Sequence, residues 1–248
     1  MSRVSRTFKY VGWVVKFVFT LLLIFLFVFL LWRVFGSTDP ASMKTLAVND
    51  RLYDAYTEAD GDLRVFNQSH LTITTADGSR GYFAVTKTAF IPEANQIQIV
   101  LRYNNATISH LVEDYSLSHT PDREEDLFDV SLFFSIDMTP DNERDNAVTS
   151  VQGTRTFRCS SELVESETKG IYNYRKFVFD LDKCGEDLAE LIESGELLAV
   201  YADVYYVEDI NLEGEAYGTL FLYDYKAKNV EHKLSSKDIK NIEAWKKD

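Results

Sequence analysis

None of the short motifs that announce catalysis occurs in these 248 residues: no Gly-x-Ser-x-Gly, His-Glu-x-x-His, phosphate-binding loop or Gly-x-Gly-x-x-Gly. Histidine is scarce. His70, His110, His119 and His232 each stand alone, with no metal-ligand spacing to another histidine or to a cysteine. The only cysteines, Cys159 and Cys184, have neither a Cys-x-x-Cys partner nor a nearby histidine, so no zinc site and no cofactor is expected. No repeat, low-complexity tract or Pro/Gly/Ser-rich linker divides the chain after residue 50, which argues for one domain there. Acidic residues are absent before Asp39.

Long apolar runs are equally few; the prominent one is Phe17 to Trp32, FVFTLLLIFLFVFLLW. A spanning helix usually takes about 20 apolar residues. Here Trp13 and Trp32 extend the run to roughly 28 Å at 1.5 Å rise per residue, and tryptophan favours both membrane interfaces. Lys16 and Arg33 lie close enough to the ends to snorkel to the head groups. Thr20 is the only polar residue inside the run, so a tether is expected rather than a pathway. Arg3, Arg6, Lys9 and Lys16 precede the run and Arg33 alone follows closely, which places the N-terminus in the cytoplasm and the rest outside. A cleaved secretory signal is the competing reading, with Val34-Phe35-Gly36 as the cleavage pattern. Trp32 and Arg33 just upstream, and a core longer than the usual 7–15 residues, speak against it. The expected division is a cytoplasmic basic tail (1–12), a transmembrane anchor (13–35), a connector (36–50) and an extracytoplasmic domain (51–248).

The chain holds 26 basic and 39 acidic residues, and five of the basic ones precede Asp39, leaving 21 against 39, or −18, from Asp39 onward. So acidic a domain is repelled by nucleic acid and by anionic lipid, and nucleic acid is excluded as a partner. In an oxidising compartment, Cys159 and Cys184 are expected to pair.

Beyond Asp60-Gly61-Asp62 the apolar period is two. Short strands are expected over Leu63–Phe66 and Leu71–Thr75, with Asp77-Gly78 as a hairpin turn into Gly81–Phe90. Ile97, Ile99, Leu101 and Tyr103 form one core face. Phe128, Val130, Leu132, Phe134 and Ile136 form another, alternating with Asp129, Ser131, Phe133, Ser135 and Asp137. Further strands are expected over 151–160, 171–181, 198–206 and 217–225. Helices are expected over 51–59 (capped by Asn49 or Asp50), 186–194 and the closing segment, where Ser235 and Asp238 fit a capping box. About nine strands without a βαβ rhythm imply a mainly β protein: an antiparallel β-sandwich, plausibly immunoglobulin-like, with short peripheral helices.

Two stretches carry candidate ligand chemistry. Tyr201 and Tyr205 share a strand face with Asp203, opposite the apolar residues of that strand. Tyr223 and Tyr225, with Tyr217 and Phe221, do the same on the next strand, so adjoining faces would make an aromatic patch with a polar rim. Alternatively, the closing helix or the 186–194 helix covers this sheet, and the rings only stabilise it. Asp141, Glu143 and Asp145 resemble the start of a calcium loop. That loop lacks the glycine at its sixth position and has Gln152 at the twelfth, so a solvated turn fits better. The acidic run Asp122 to Asp126 reads as a solvated loop.

The layout of basic tail, single anchor, connector and acidic β domain, with the strand-rich FIPEANQIQIVLRYNN (Phe90 to Asn105), resembles that of membrane-anchored extracytoplasmic β-sandwich proteins of Gram-positive bacteria. The resemblance implies architecture and location only. The expected function is a non-catalytic, membrane-tethered binding or interaction module at the cell membrane, meeting the bilayer through its helix and an envelope protein or glycan through its domain. The alternatives are an accessory subunit of an envelope complex and a cell-wall hydrolase with paired carboxylates.

Overall fold

The computed structural model describes residues 3–36, 39–68, 83–137, 154–209 and 216–245. They form two compact units, Met1–Asp39 and Pro40–Asp248.

The first unit is one helix, α1 (Arg3–Gly36). Its Trp13–Leu31 segment has a mean hydropathy of 3.0 and is long and apolar enough to cross a membrane. The Thr20 hydroxyl donates to the Lys16 carbonyl at 2.9 Å, which satisfies the one polar group in the run. Trp13 stacks on Phe17 at 5.7 Å.

The second unit holds ten described strands: β1 (Val65–Gln68), β2 (Phe83–Ile91), β3 (Gln96–Asn104), β4 (Phe128–Asp137), β5 (Thr154–Ser160), β6 (Glu162–Lys169), β7 (Tyr172–Asp180), β8 (Leu197–Tyr206), β9 (Gly218–Asp224) and β10 (Asn229–His232). They make two antiparallel sheets, one of order β10-β1-β2-β3-β7-β6 and one of order β5-β4-β8-β9. The period-two pattern explains the pairing. Leu132 and Phe134 on β4 stand opposite Ala202 and Val200 on β8 and are fully buried, while Ser131, Phe133 and Ser135 face the other way. One apolar cluster takes residues from both sheets. Phe83 on β2 meets Phe128 on β4 edge-to-face at 4.8 Å within it.

Helices fill the ends and cover the larger sheet. Asn49 caps α2 (Asp50–Glu58), accepting the Leu52 N–H at 2.9 Å. A reciprocal box of Asn104 and Thr107 opens α3 (Asn105–Asp114), and Asp187 caps the short α4 (Leu188–Glu193). Ser235 and Asp238 form the expected box at the start of α5 (Ser236–Ala244). Leu52 and Ala55 of α2, Ile242 of α5, and Ala89 and Ile91 of β2 make a second apolar cluster on the outer side of the larger sheet.

The segment expected as a free connector is folded in. Residues 40–49 lie as a strap on the larger sheet, with Met43 buried against Val100 and Tyr174. Gln98 accepts the Ala47 N–H at 2.8 Å and donates to the Ala47 carbonyl at 2.9 Å. Asp238 accepts the Leu46 N–H at 2.6 Å. Lys176 and Lys87 donate to the Ser42 and Lys44 carbonyls, each at 2.7 Å. Polar side chains under a sheet-covering strap satisfy backbone groups that would otherwise face apolar neighbours. The folded unit therefore begins at Pro40, not at residue 51.

Cys159 on β5 and Cys184, in the turn after β7, form a disulfide with their Cα atoms 5.8 Å apart. The bridge ties the edge of the smaller sheet to the end of a strand in the larger one. The acidic loop 122–126 is also fixed. Buried Arg175 on β7 donates to the carbonyls of Arg123, Glu124 and Glu125, the last at 2.7 Å, and lies 2.6 Å from Asp126 Oδ1.

Candidate docking face

The outer side of the smaller sheet gathers the most chemistry. In register across its four strands stand Arg158 (β5), Phe133 (β4), Tyr201 (β8) and Phe221 (β9). The next row holds Ser160, Ser131, Asp203 and Thr219. Outward residues of antiparallel neighbours meet because each side chain has a directly opposed partner about 5 Å away. Tyr201 lies 6.3 Å from Phe133 and 4.9 Å from Phe221, ring centre to ring centre. All three rings are half-buried, flanked on the same face by the small side chains of Ser131, Ser135, Ala199 and Thr219.

A polar knot runs alongside the row, from Arg158 on β5 to Asp203 on β8 and Thr219 on β9. Arg158 Nη1 is 3.0 Å from Asp203 Oδ2, and Arg158 also bonds the Tyr205 hydroxyl. Thr219 donates to Asp203 Oδ1 at 2.7 Å, so the nearly buried carboxylate is held on both oxygens. Burial, and then the Asp203 charge, push the Tyr205 hydroxyl above its ordinary pKa and keep it neutral. The Arg158 guanidinium carbon lies 5.3 Å from the Phe133 ring centre and 5.9 Å from that of Tyr205.

The structure brings Tyr201 and Tyr205 onto this face and separates Tyr223 and Tyr225 from it. Period-two counting puts Phe221 and Tyr223 on one side, but a bulge at Leu222 shifts the register: Phe221 pairs with Tyr201 while Tyr223 pairs with Val200. One extra residue reverses the facing of every residue beyond it. Tyr223 accordingly lies in the core, 5.7 Å from Phe90. Tyr225 is in the turn beyond β9, exposed, with Lys226 over its ring at 5.3 Å. Neither helix suggested as a cover packs here. Ile242 of α5 belongs to the cluster on the larger sheet, and Leu188 and Leu191 of α4 belong to the core between the sheets. Period-two counting of β8 and β9 does not reach Phe133, Arg158 and Thr219. The readable signal was Phe133, an aromatic at a polar position of a strict alternation.

Other candidates are weaker. Asp141, Glu143 and Asp145 lie outside the described residues, and among the described residues no cluster of metal-ligating side chains occurs. Leu71–Thr75 and the Asp77-Gly78 turn also lie outside, as do the side chains of Trp32 and Arg33. A cavity of about 230 Å³ is lined by His119, Glu125, Asp126, Tyr206 and Glu208, so carboxylates and a histidine share one hollow. Two of its carboxylates are engaged: Glu208 accepts from the Tyr206 hydroxyl at 2.8 Å, and Asp126 faces Arg175. An open groove of about 1200 Å³ runs between the strap and β6, with Val48, Val164 and Trp245 on its walls. Its cation, Lys176, is bound by Glu165 at 2.6 Å and by the strap.

No family model matches the chain, and neither a curated protein nor a solved structure is significantly similar to it.

Proposed function

We propose that the chain is a membrane-tethered extracytoplasmic interaction module without catalytic activity, and that the outer face of its four-stranded sheet is the docking surface. One observation carries the reading: three half-buried rings and a charged knot stand on one outward face of four strands that the fold otherwise uses only for its inner core. A flat face with aromatic anchors and hydrogen-bonding neighbours is the composition that interfaces enrich. The shared core of the two sheets supports a sandwich architecture. Six and four strands exceed the seven or nine of immunoglobulin domains, which favours a related but distinct topology.

Retention in the membrane is supported by α1, which runs unbroken through the Val34-Phe35-Gly36 pattern. The basic residues before the run support a cytoplasmic N-terminus. The disulfide fits an oxidising compartment.

A photoreactive residue at Ser135, outward on β4, tests the proposal in intact cells. We expect a crosslinked envelope partner from Ser135 and none from the same residue at exposed Lys240 on α5. Equal or absent crosslinking from both positions would remove the docking face.

A further inference from the structure

Resting on that docking-face reading, we propose that the occupant is a basic protein segment, whose guanidinium or ammonium groups lie on the Tyr201–Phe221 half of the aromatic row. The chain supplies its own example of the contact. Arg158 lies over Phe133 and Tyr205 with Nη1 3.0 Å from Asp203 Oδ2. Planar guanidinium groups combine ring stacking with charge-assisted bonding to a carboxylate, and Arg158 does both here. The row then continues for two more rings, and among the described residues no cation lies over Tyr201 or Phe221.

Charge points the same way. Outward register positions of the four strands hold Asp129, Asp137, Asp203 and Asp224 against Arg158 alone. Arg158 is already committed to Asp203, so the face is net negative. The whole chain carries −13, and the part beyond Asp39 is more negative still. Such a field speeds encounter with a cationic surface and opposes a second copy of this chain, an anionic polymer or an anionic lipid head group. These two half-buried rings provide specificity within that attraction, about tenfold for two cation–π contacts.

The test uses the full chain in phosphatidylcholine nanodiscs and a fluorescent hexapeptide of alternating arginine and serine. The matched peptide has citrulline, which keeps the shape and loses the charge. We expect the arginine peptide to bind at least tenfold more tightly. The double variant Tyr201→Ala/Phe221→Ala should lose that advantage about tenfold, while Tyr225→Ala, an exposed ring off this face, stays within twofold. Arginine binding unchanged in the double variant would mean general acidic attraction and would overturn the proposal. So would binding of chitotetraose, a neutral glycan, in place of the peptide. If Ser135 still crosslinks a partner in cells while the peptide fails to bind, the docking face stands and its cationic occupant falls. If both fail, both readings fall.

Discussion

Replacing Gln98 with leucine should loosen the strap while leaving the sheets beneath it folded. Gln98 is nearly fully buried, and its amide holds Ala47 by both backbone groups, at 2.8 and 2.9 Å. Leucine is close in volume, so little cavity forms, and the loss is confined to the two hydrogen bonds. At about 1 kcal/mol net each, the strap loses about 2 kcal/mol. The net figure already counts the water that a lifted strap regains at Ala47. Met43 and the contacts from Asp238, Lys87 and Lys176 remain to hold the segment in its bound state most of the time. Local opening of this size raises amide exchange by about 30-fold. Hydrogen exchange read by mass spectrometry should show it for peptides spanning residues 42–48 and not for those of β8. Unchanged exchange at the strap would mean that Gln98 does not hold it. An equal rise throughout the domain would mean that the strap and sheets unfold as one.

Other perturbations separate the inner faces from the outer one. Leu132→Ala should cost about 2–5 kcal/mol, because Leu132 is completely buried; Phe133→Ala, one residue along and facing out, should cost about 1 kcal/mol or less, and urea melts of both would show the contrast or refute it. Removing the Cys159–Cys184 bridge, which closes a separation of 25 residues, should cost about 3.5 kcal/mol; a chain equally stable with and without reductant would contradict this. Tyr103 is buried, its hydroxyl has no hydrogen-bond partner among the described residues, and burial pushes its pKa to about 12 from 10.0. The folded form holds that proton more tightly than the unfolded form, so stability is intact below pH 10 and falls between pH 10 and 12 by about 2–3 kcal/mol. Tyr103→Phe should flatten that alkaline fall; an unchanged slope would assign it elsewhere.

Where burial is strictly one-sided, the sequence was easy to read. The alternations of β4 and β8 predict their core faces, and Asn49 and the Ser235–Asp238 pair predict the caps of α2 and α5. Three kinds of element were not legible. The edge strand β6, ELVESETK, has a charged, half-exposed pattern that looks like a loop, because its hydrogen bonds to β7 rather than an apolar face define it. The helix α3 hides behind a strand-like approach; its signal was the Asn104–Thr107 box. The strap has no period at all, since its backbone is held by distant side chains such as Gln98 and Asp238. Within the candidate site, Tyr201 and Tyr205 followed from period two, and Tyr223 did not, because a bulge is a property of the pairing and not of the strand.

Whether the Tyr201–Phe221 row exists for a partner or for the fold can be measured with one double variant. Tyr201→Ala/Phe221→Ala removes two half-buried cross-strand rings, worth about 1–2 kcal/mol together, or a fall of about 3–8 °C in Tm for a domain of this size. Melting of the variant combined with crosslinking from Ser135 in intact cells gives the answer. A docking face predicts a folded, disulfide-bonded domain at growth temperature whose crosslinked partner is gone. A variant that keeps its partner, or one that no longer folds, would contradict it.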